Sequence, residues 1–338
     1  MSFQIACGVN VSHWLSQSPA RGEERRRRFT ETDVARIVSL GFDHIRIPVD
    51  ESQMWTENGG RQTEAFDLLN TGLDWAEGAG LRAIVDLHII RSHFFNDEEE
   101  PPLFTAETEM ERLGTLWSDL SDVLSGRDLE TVAYELLNEP VARDNRRWNQ
   151  VYPYALNAIR EREPERTVLL GSNWYNSCES FPDLAVPEDR NLILTYHYYN
   201  PFMVTHYRTP WTRIGHYEGP IQYPGSPLPD TEREMIKELR RNGADRELRR
   251  FDRTVIRDEM LAAVGVARQH GVPAHCGEFG CFHTVPAEIR ERWYRDMASV
   301  FRELGVAWSC WDYKGDFGVI GCDGEPTGIA GWLMEVGA

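Results

Sequence analysis

Val132-Ala133-Tyr134-Glu135-Leu136-Leu137-Asn138-Glu139-Pro140 and Val272-Pro273-Ala274-His275-Cys276-Gly277-Glu278-Phe279-Gly280 are built alike. Each is a short apolar run that closes on a glutamate and meets Pro or Gly within two residues. A run this short, apolar and bounded by turn formers reads as a buried strand of a parallel sheet. Its last polar side chain is then delivered to the mouth of the sheet.

Six more runs of the same kind flank these two. Together the strands are expected at 5–10, 44–49, 82–87, 131–137, 167–171, 192–196, 274–277 and 307–311. Segments with helical apolar spacing lie between them, at 33–40, 66–79, 107–124, 147–162, 254–269 and 287–304. Gly41, Gly80 and Gly305 stand just past three of these, where a residue without Cβ ends a helix at positive φ. Strands alternating with helices from end to end, with no polar linker, point to a (β/α)₈ TIM barrel, with 1–338 as a single catalytic domain. An open doubly wound sheet is the alternative, but no Gly-rich phosphate turn follows the first strand. One segment is out of scale: 200–251, after strand six, is rich in Tyr, Trp, Pro and Gly and then in charge. In a barrel it lies on the C-terminal face, where active sites are built.

The net charge of −18 argues against nucleic acid or an anionic membrane as partner. No run approaches the roughly 18 apolar residues of a membrane span, and the start, Met1-Ser2-Phe3-Gln4-Ile5, lacks the basic and apolar regions of a secretory signal. The expected address is the cytoplasm if the chain is complete, or a secreted or periplasmic one if a signal has been removed. The run Arg25 to Arg28 reads as a solvated helix entry, and Asp97-Glu98-Glu99-Glu100 as a solvated loop and not a metal site. Of the six cysteines, Cys7, Cys276 and Cys310 fall in apolar strand runs and read as reduced core thiols; Cys178, Cys281 and Cys322 leave room for a disulfide.

Placed on one barrel mouth, the strand ends bring together Arg46, His88, Asn138, Glu139, His197, Tyr199, Glu278 and Trp311. Packing alone does not explain such a gathering, because buried polar groups without partners are unfavourable. Two carboxylates in one cleft are the minimum equipment for cleaving a glycosidic bond. Taken singly, most of the gathered residues also have a blander alternative: Glu139 as a helix-capping carboxylate, Glu278 as a loop charge, Arg46 as a structural partner of Glu135 or Glu278, His88 and His197 as core histidines satisfied by backbone, and Trp311 as barrel packing.

Taken in order, Arg46, His88, Asn138-Glu139-Pro140, His197-x-Tyr199, Glu278 and Trp311 resemble the signature of the family 5 glycoside hydrolases, from the barrel clan with acid/base on strand four and nucleophile on strand seven. The resemblance implies a retaining β-glycosidase acting on β-linked gluco- or manno-configured saccharides, with Glu139 as acid/base and Glu278 as nucleophile. It implies that Tyr199 and Arg46 hold the charge of Glu278, that Asn138 binds the sugar 2-hydroxyl, and that His88 and His197 hold hydroxyls and the acid/base. Trp311 would offer a flat face to a pyranose ring. No metal or organic cofactor is implied; the partner is a carbohydrate, and the chain is expected to act as a monomer. Many members carry a second histidine directly behind the first, whereas here the chain runs His88-Ile89-Ile90-Arg91-Ser92-His93. An exo-acting enzyme, a transglycosylase or a non-hydrolytic carbohydrate-binding barrel remain as alternatives. The insertion and the lack of an appended binding module favour short oligosaccharides or chain ends.

Overall fold

The computed structural model describes residues 3–96 and 99–335. Its eight strands are β1 (Cys7–Asn10), β2 (His44–Asp50), β3 (Arg82–Ile89), β4 (Val132–Glu135), β5 (Val168–Gly171), β6 (Leu192–His197), β7 (Ala274–Glu278) and β8 (Ala307–Cys310). They form a closed barrel in chain order, with β8 pairing parallel to β1. The expected strands fall in place. The largest difference is β4, which ends at Glu135 and not at Leu137. Beyond Glu135 the chain peels off the ladder, keeping single bonds from Leu136 N to Leu169 O and from Asn138 N to Leu87 O.

Helices over Glu107–Leu124 and Ala287–Leu304 match their expected bounds. Gly41, Gly80 and Gly305 sit at positive φ just past their helices. The Arg25–Arg28 run needs correction. It is the end of a short helix, Gly22–Arg28, and Arg25 is buried, donating to Gln53 Oε1 at 2.7 Å and to the Ala20 carbonyl at 3.1 Å. Of the acidic run, Asp97 and Glu98 lie outside the described residues, while Glu100 accepts from the Arg143 amide in the loop beyond β4. All six cysteines are free, so no disulfide forms among the described residues.

Side chains two apart on a strand share a face, so one alternation fills the barrel interior. Ile84, Ala133, Leu169 and Ile193 form an apolar floor closed by Phe3. One step up, on their own strands, stand Asp86, Glu135 and Thr195, and a further step brings His88 and His197 to the mouth. The outward residues, such as Ile45, Ile47, Val85 and Leu87, pack against the helices in the main core with Leu69, Leu73 and Trp117. A dry floor thus gives way to a polar ceiling within a few residues.

The segment 200–251 folds onto the rim through helices Phe202–Thr205 and Arg233–Arg241. It seats part of its aromatic content inside: Tyr217 and Tyr223 are buried, and the Tyr223 hydroxyl donates to Asp296.

Candidate active site

Two local irregularities aim the two glutamates. Between β6 and β7 the register slips, so that Tyr196 faces Cys276 but His197 faces Glu278. The extra residue is Gly277, and the bulge it creates turns Glu278 inward, against the parity of the strand. A Cβ on Gly277 would stand 2.8 Å from Thr195 Oγ1 and 3.2 Å from His197 Nε2, so the bulge closes only over glycine. Glu139 lies past the end of β4 with φ of 47°, a left-handed conformation disfavoured for side-chain-bearing residues. Such strain is held where the surroundings over-determine it, commonly at functional sites.

Arg46 is the hub. Its Nη1 donates to Glu278 Oε1 at 2.8 Å and to Asn10 Oδ1 at 2.9 Å. Nε and Nη2 bind both oxygens of Glu135 at 2.7 and 2.9 Å, and Nη2 also reaches Asn138 Oδ1 at 3.0 Å and Asp86 Oδ2 at 3.0 Å. Both readings of Arg46 therefore hold at once: it is a structural partner of Glu135 and a charge partner of Glu278. Asp86 in turn accepts from His88 Nδ1 at 2.7 Å, which leaves His88 Nε2 free to face the cleft as an acceptor. Burial raises the Asp86 pKa to about 7, against the opposing pull of Arg46.

The two glutamates meet. His197 Nδ1 lies 2.8 Å from Glu139 Oε1 and 3.7 Å from Glu278 Oε2, and oxygens of the two carboxyls fall within 4.8 Å of each other. Such a spacing leaves no room for a water between nucleophile and sugar and suits direct attack. It would also admit a cation, but the Arg46 guanidinium already stands on Glu278 and repels one. Burial, and then the negative charge of Glu278, push Glu139 well above the usual carboxylate range. Burial also raises Glu278, but Arg46 opposes the shift, and the Tyr199 hydroxyl donates to Glu278 Oε2 at 3.1 Å. The pair therefore keeps its proton on Glu139 and its charge on Glu278.

Seven of the eight residues expected at the mouth lie there and line a cleft of about 880 Å³; Arg46 is the exception. Arg46 sits one layer below. Asn138 Nδ2 has no partner among the described residues, a donor left for ligand. Trp311 also lines the cleft, with its ring near-parallel to that of His88 at 5.7 Å between centroids, so it braces His88 as well as offering apolar surface. His93 does not line the cleft as a second histidine behind His88; it is buried behind the wall, against Phe104 and beside the backbone of Glu139. The insertion contributes His206, Trp211, Thr212, Arg213, Arg246 and Glu247 to one wall. Sequence reasoning missed Asn10, Asp86, Asn176 and the exposed pair Trp174 and Tyr175. The i, i+2 polar pair Asp86-x-His88 inside an apolar run was the available signal for the second of these.

A family model described as Cellulase (glycosyl hydrolase family 5) matches residues 10–317. Endoglucanase C of Acetivibrio thermocellus is 28% identical over 331 residues, covering 95% of this chain and 94% of the relative. Cellodextrinase A of Ruminococcus flavefaciens is 26% identical over 310 residues, covering 90% and 84%. Among solved structures, a hyperthermophilic endo-β-1,4-glucanase superposes with a TM-score of 0.77 at 22% identity, covering 96% of each chain. With the family model spanning nearly the whole barrel, this chain is an O-glycosyl hydrolase that belongs to the cellulase family, glycosyl hydrolase family 5.

Proposed function

We propose that the chain cleaves β-linked gluco- or manno-configured saccharides by double displacement, with Glu278 as nucleophile and Glu139 as acid/base. The observation that carries this is the pairing of two carboxyls within 4.8 Å in which only Glu278 has a guanidinium and a phenol on it. In the first step Glu278 attacks the anomeric carbon, the bond to the leaving oxygen breaks, and Glu139 gives that oxygen its proton. Asn138 Nδ2 binds the sugar 2-hydroxyl, a contact that tightens as the oxocarbenium-like transition state forms. His88 Nε2 accepts from another hydroxyl, and Trp311 backs the ring. With Glu278 esterified, Glu139 loses its negative neighbour and ionises more readily. It then takes a proton from water, whose oxygen attacks the anomeric carbon and frees Glu278.

The names of the relatives, an endoglucanase and a cellodextrinase, favour β-glucan chains or their fragments. The wall that the insertion builds along the cleft favours short oligosaccharides or chain ends. The chain is read as one catalytic unit acting as a monomer on carbohydrate alone. Incubation with β-1,4-gluco- and manno-oligosaccharides of increasing length, and with a soluble β-glucan, tests this. At least one series should be cut with retention of anomeric configuration, at a rate rising with length up to a few sugars. Random internal cuts that collapse the viscosity of the polymer early would defeat the chain-end preference. Inversion of configuration would defeat the mechanism.

A further inference from the structure

We propose that Asn176 is a positioning residue for the acid/base. By donating to His197 Nε2 it fixes the imidazole tautomer whose Nδ1–H holds one oxygen of Glu139, leaving the other oxygen to carry the catalytic proton. The inference rests on the reading of Glu139 as the acid/base.

Asn176 is fully buried in the turn after β5, with Nδ2 3.4 Å from His197 Nε2. The turn is built to put it there. Trp174, Tyr175 and Asn176 have φ of 55°, 61° and 52° in succession. Asparagine tolerates this conformation and the two aromatics do not, so the run stores strain on the order of 1–3 kcal/mol per residue. Side-chain bonds from Asn173 to both the N–H and the carbonyl of Ala142, each 2.8 Å, tie the turn to the loop that carries Glu139. The Tyr175 amide donates to the Pro140 carbonyl at 3.2 Å, beside Glu139 itself. Beneath the amide lies Gly171, where a Cβ would stand 2.3 Å from Asn176 Oδ1. The chain has kept that space clear for the asparagine.

Two independent contacts assign the same tautomer. On one side of the ring, Nδ1 faces Glu139 at 2.8 Å and Glu278 at 3.7 Å, and two carboxyls facing one nitrogen call for a proton on it. On the other side, Asn176 presents its NH₂ to Nε2, while its Oδ1 rests unpartnered on the Gly171 methylene. Turning the amide over would bury the NH₂ against that methylene, the costlier arrangement. Burial, reinforced by Arg46, His88 and His275, keeps His197 neutral, so its single ring proton must choose a side. On Nδ1 it donates to Glu139 Oε1. On Nε2 it would leave Nδ1 bare, and Nδ1 would draw the acid proton of Glu139 away from the leaving oxygen.

Asn176→Asp offers only acceptors and inverts the preference. Asn176→Gly deletes the amide and suits the positive φ, and Gly171→Ala displaces the amide without deleting it. The readout is kcat/KM on β-glycosides of graded leaving groups, with Glu139→Gln as control. Asn176→Asp is expected to lose about tenfold more on a sugar or alkyl leaving group than on dinitrophenol, which needs no proton. A neutron structure of the wild type is expected to show hydrogen on His197 Nδ1 and none on Nε2; it needs no variant to fold. Equal losses on both classes of substrate, or a proton on Nε2 in the wild type, would overturn the assignment. A Glu139→Gln control without leaving-group dependence overturns the acid/base reading and this inference with it. A control that shows the dependence while the Asn176 variants do not overturns this inference alone.

Discussion

At the residue scale, the charge balance around Arg46 decides the chemistry. One buried guanidinium serves Asp86, Glu135 and Glu278, and among the described residues no other Arg or Lys pairs with these three. Arg46→Met should therefore strip the nucleophile of its counter-charge and leave three buried carboxyls uncompensated, a loss of about 3–5 kcal/mol of stability. A melting temperature within a degree or two of wild type would contradict that role. Glu139 gives the pH prediction. It must be protonated in the first step while Glu278 is ionised, and burial raises both, so kcat/KM should fall on the acid side as Glu278 takes up a proton and fall again as pH rises through the pKa of Glu139. In Glu139→Gln, an activated aryl glycoside should lose this upper limb, and persistence of the limb would assign it to another group. Seven of the eight expected residues were legible because each closes or follows a strand run; Arg46, inside β2, was legible only through the family signature it shares with them. Asp86 and Asn176 were not, because their work depends on a partner far along the chain: Arg46 for the first, His197 for the second.

At the scale of elements, a bulge and a turn place the carboxyls, and neither shows in apolar periodicity. The β7 bulge depends on Gly277. Gly277→Ala should move His197 or Thr195, cost about 1–3 kcal/mol and lower kcat far more than it raises KM. Unchanged kcat would mean that the bulge relaxes without disturbing Glu278. The insertion was visible only as an excess of aromatics, which supports either a wall or a self-packed loop. It does both, burying Tyr217 and Tyr223 while leaving Trp211 54% exposed on the cleft. Trp211→Ala should weaken binding of longer oligosaccharides by about 1 kcal/mol, roughly fivefold in KM, with kcat on short substrates unchanged. An identical KM across chain lengths would remove Trp211 from the substrate path.

At the scale of the molecule, the barrel was readable because strands and helices alternate with few interruptions and glycines end several helices. Its closure follows from the strand count and from β8 finding β1. The layering inside was harder to read, since inward polar residues such as His44, Thr195, His275 and Ser309 interrupt apolar strands without reaching the mouth. They satisfy one another instead: Ser309 Oγ lies 2.8 Å from His44 Nε2 and 2.9 Å from His275 Nε2. That buried chain stiffens the frame on which the two glutamates stand, and the frame matters because the mechanism needs them held a few ångströms apart. The most direct test of that mechanism is Glu278→Gly with an activated β-glycoside and added azide. Hydrolysis should drop by several orders of magnitude without azide, and azide should restore turnover by giving the α-glycosyl azide, because it enters from the face Glu278 has vacated. A β-azide, or retained hydrolysis in the variant, would contradict Glu278 as the nucleophile.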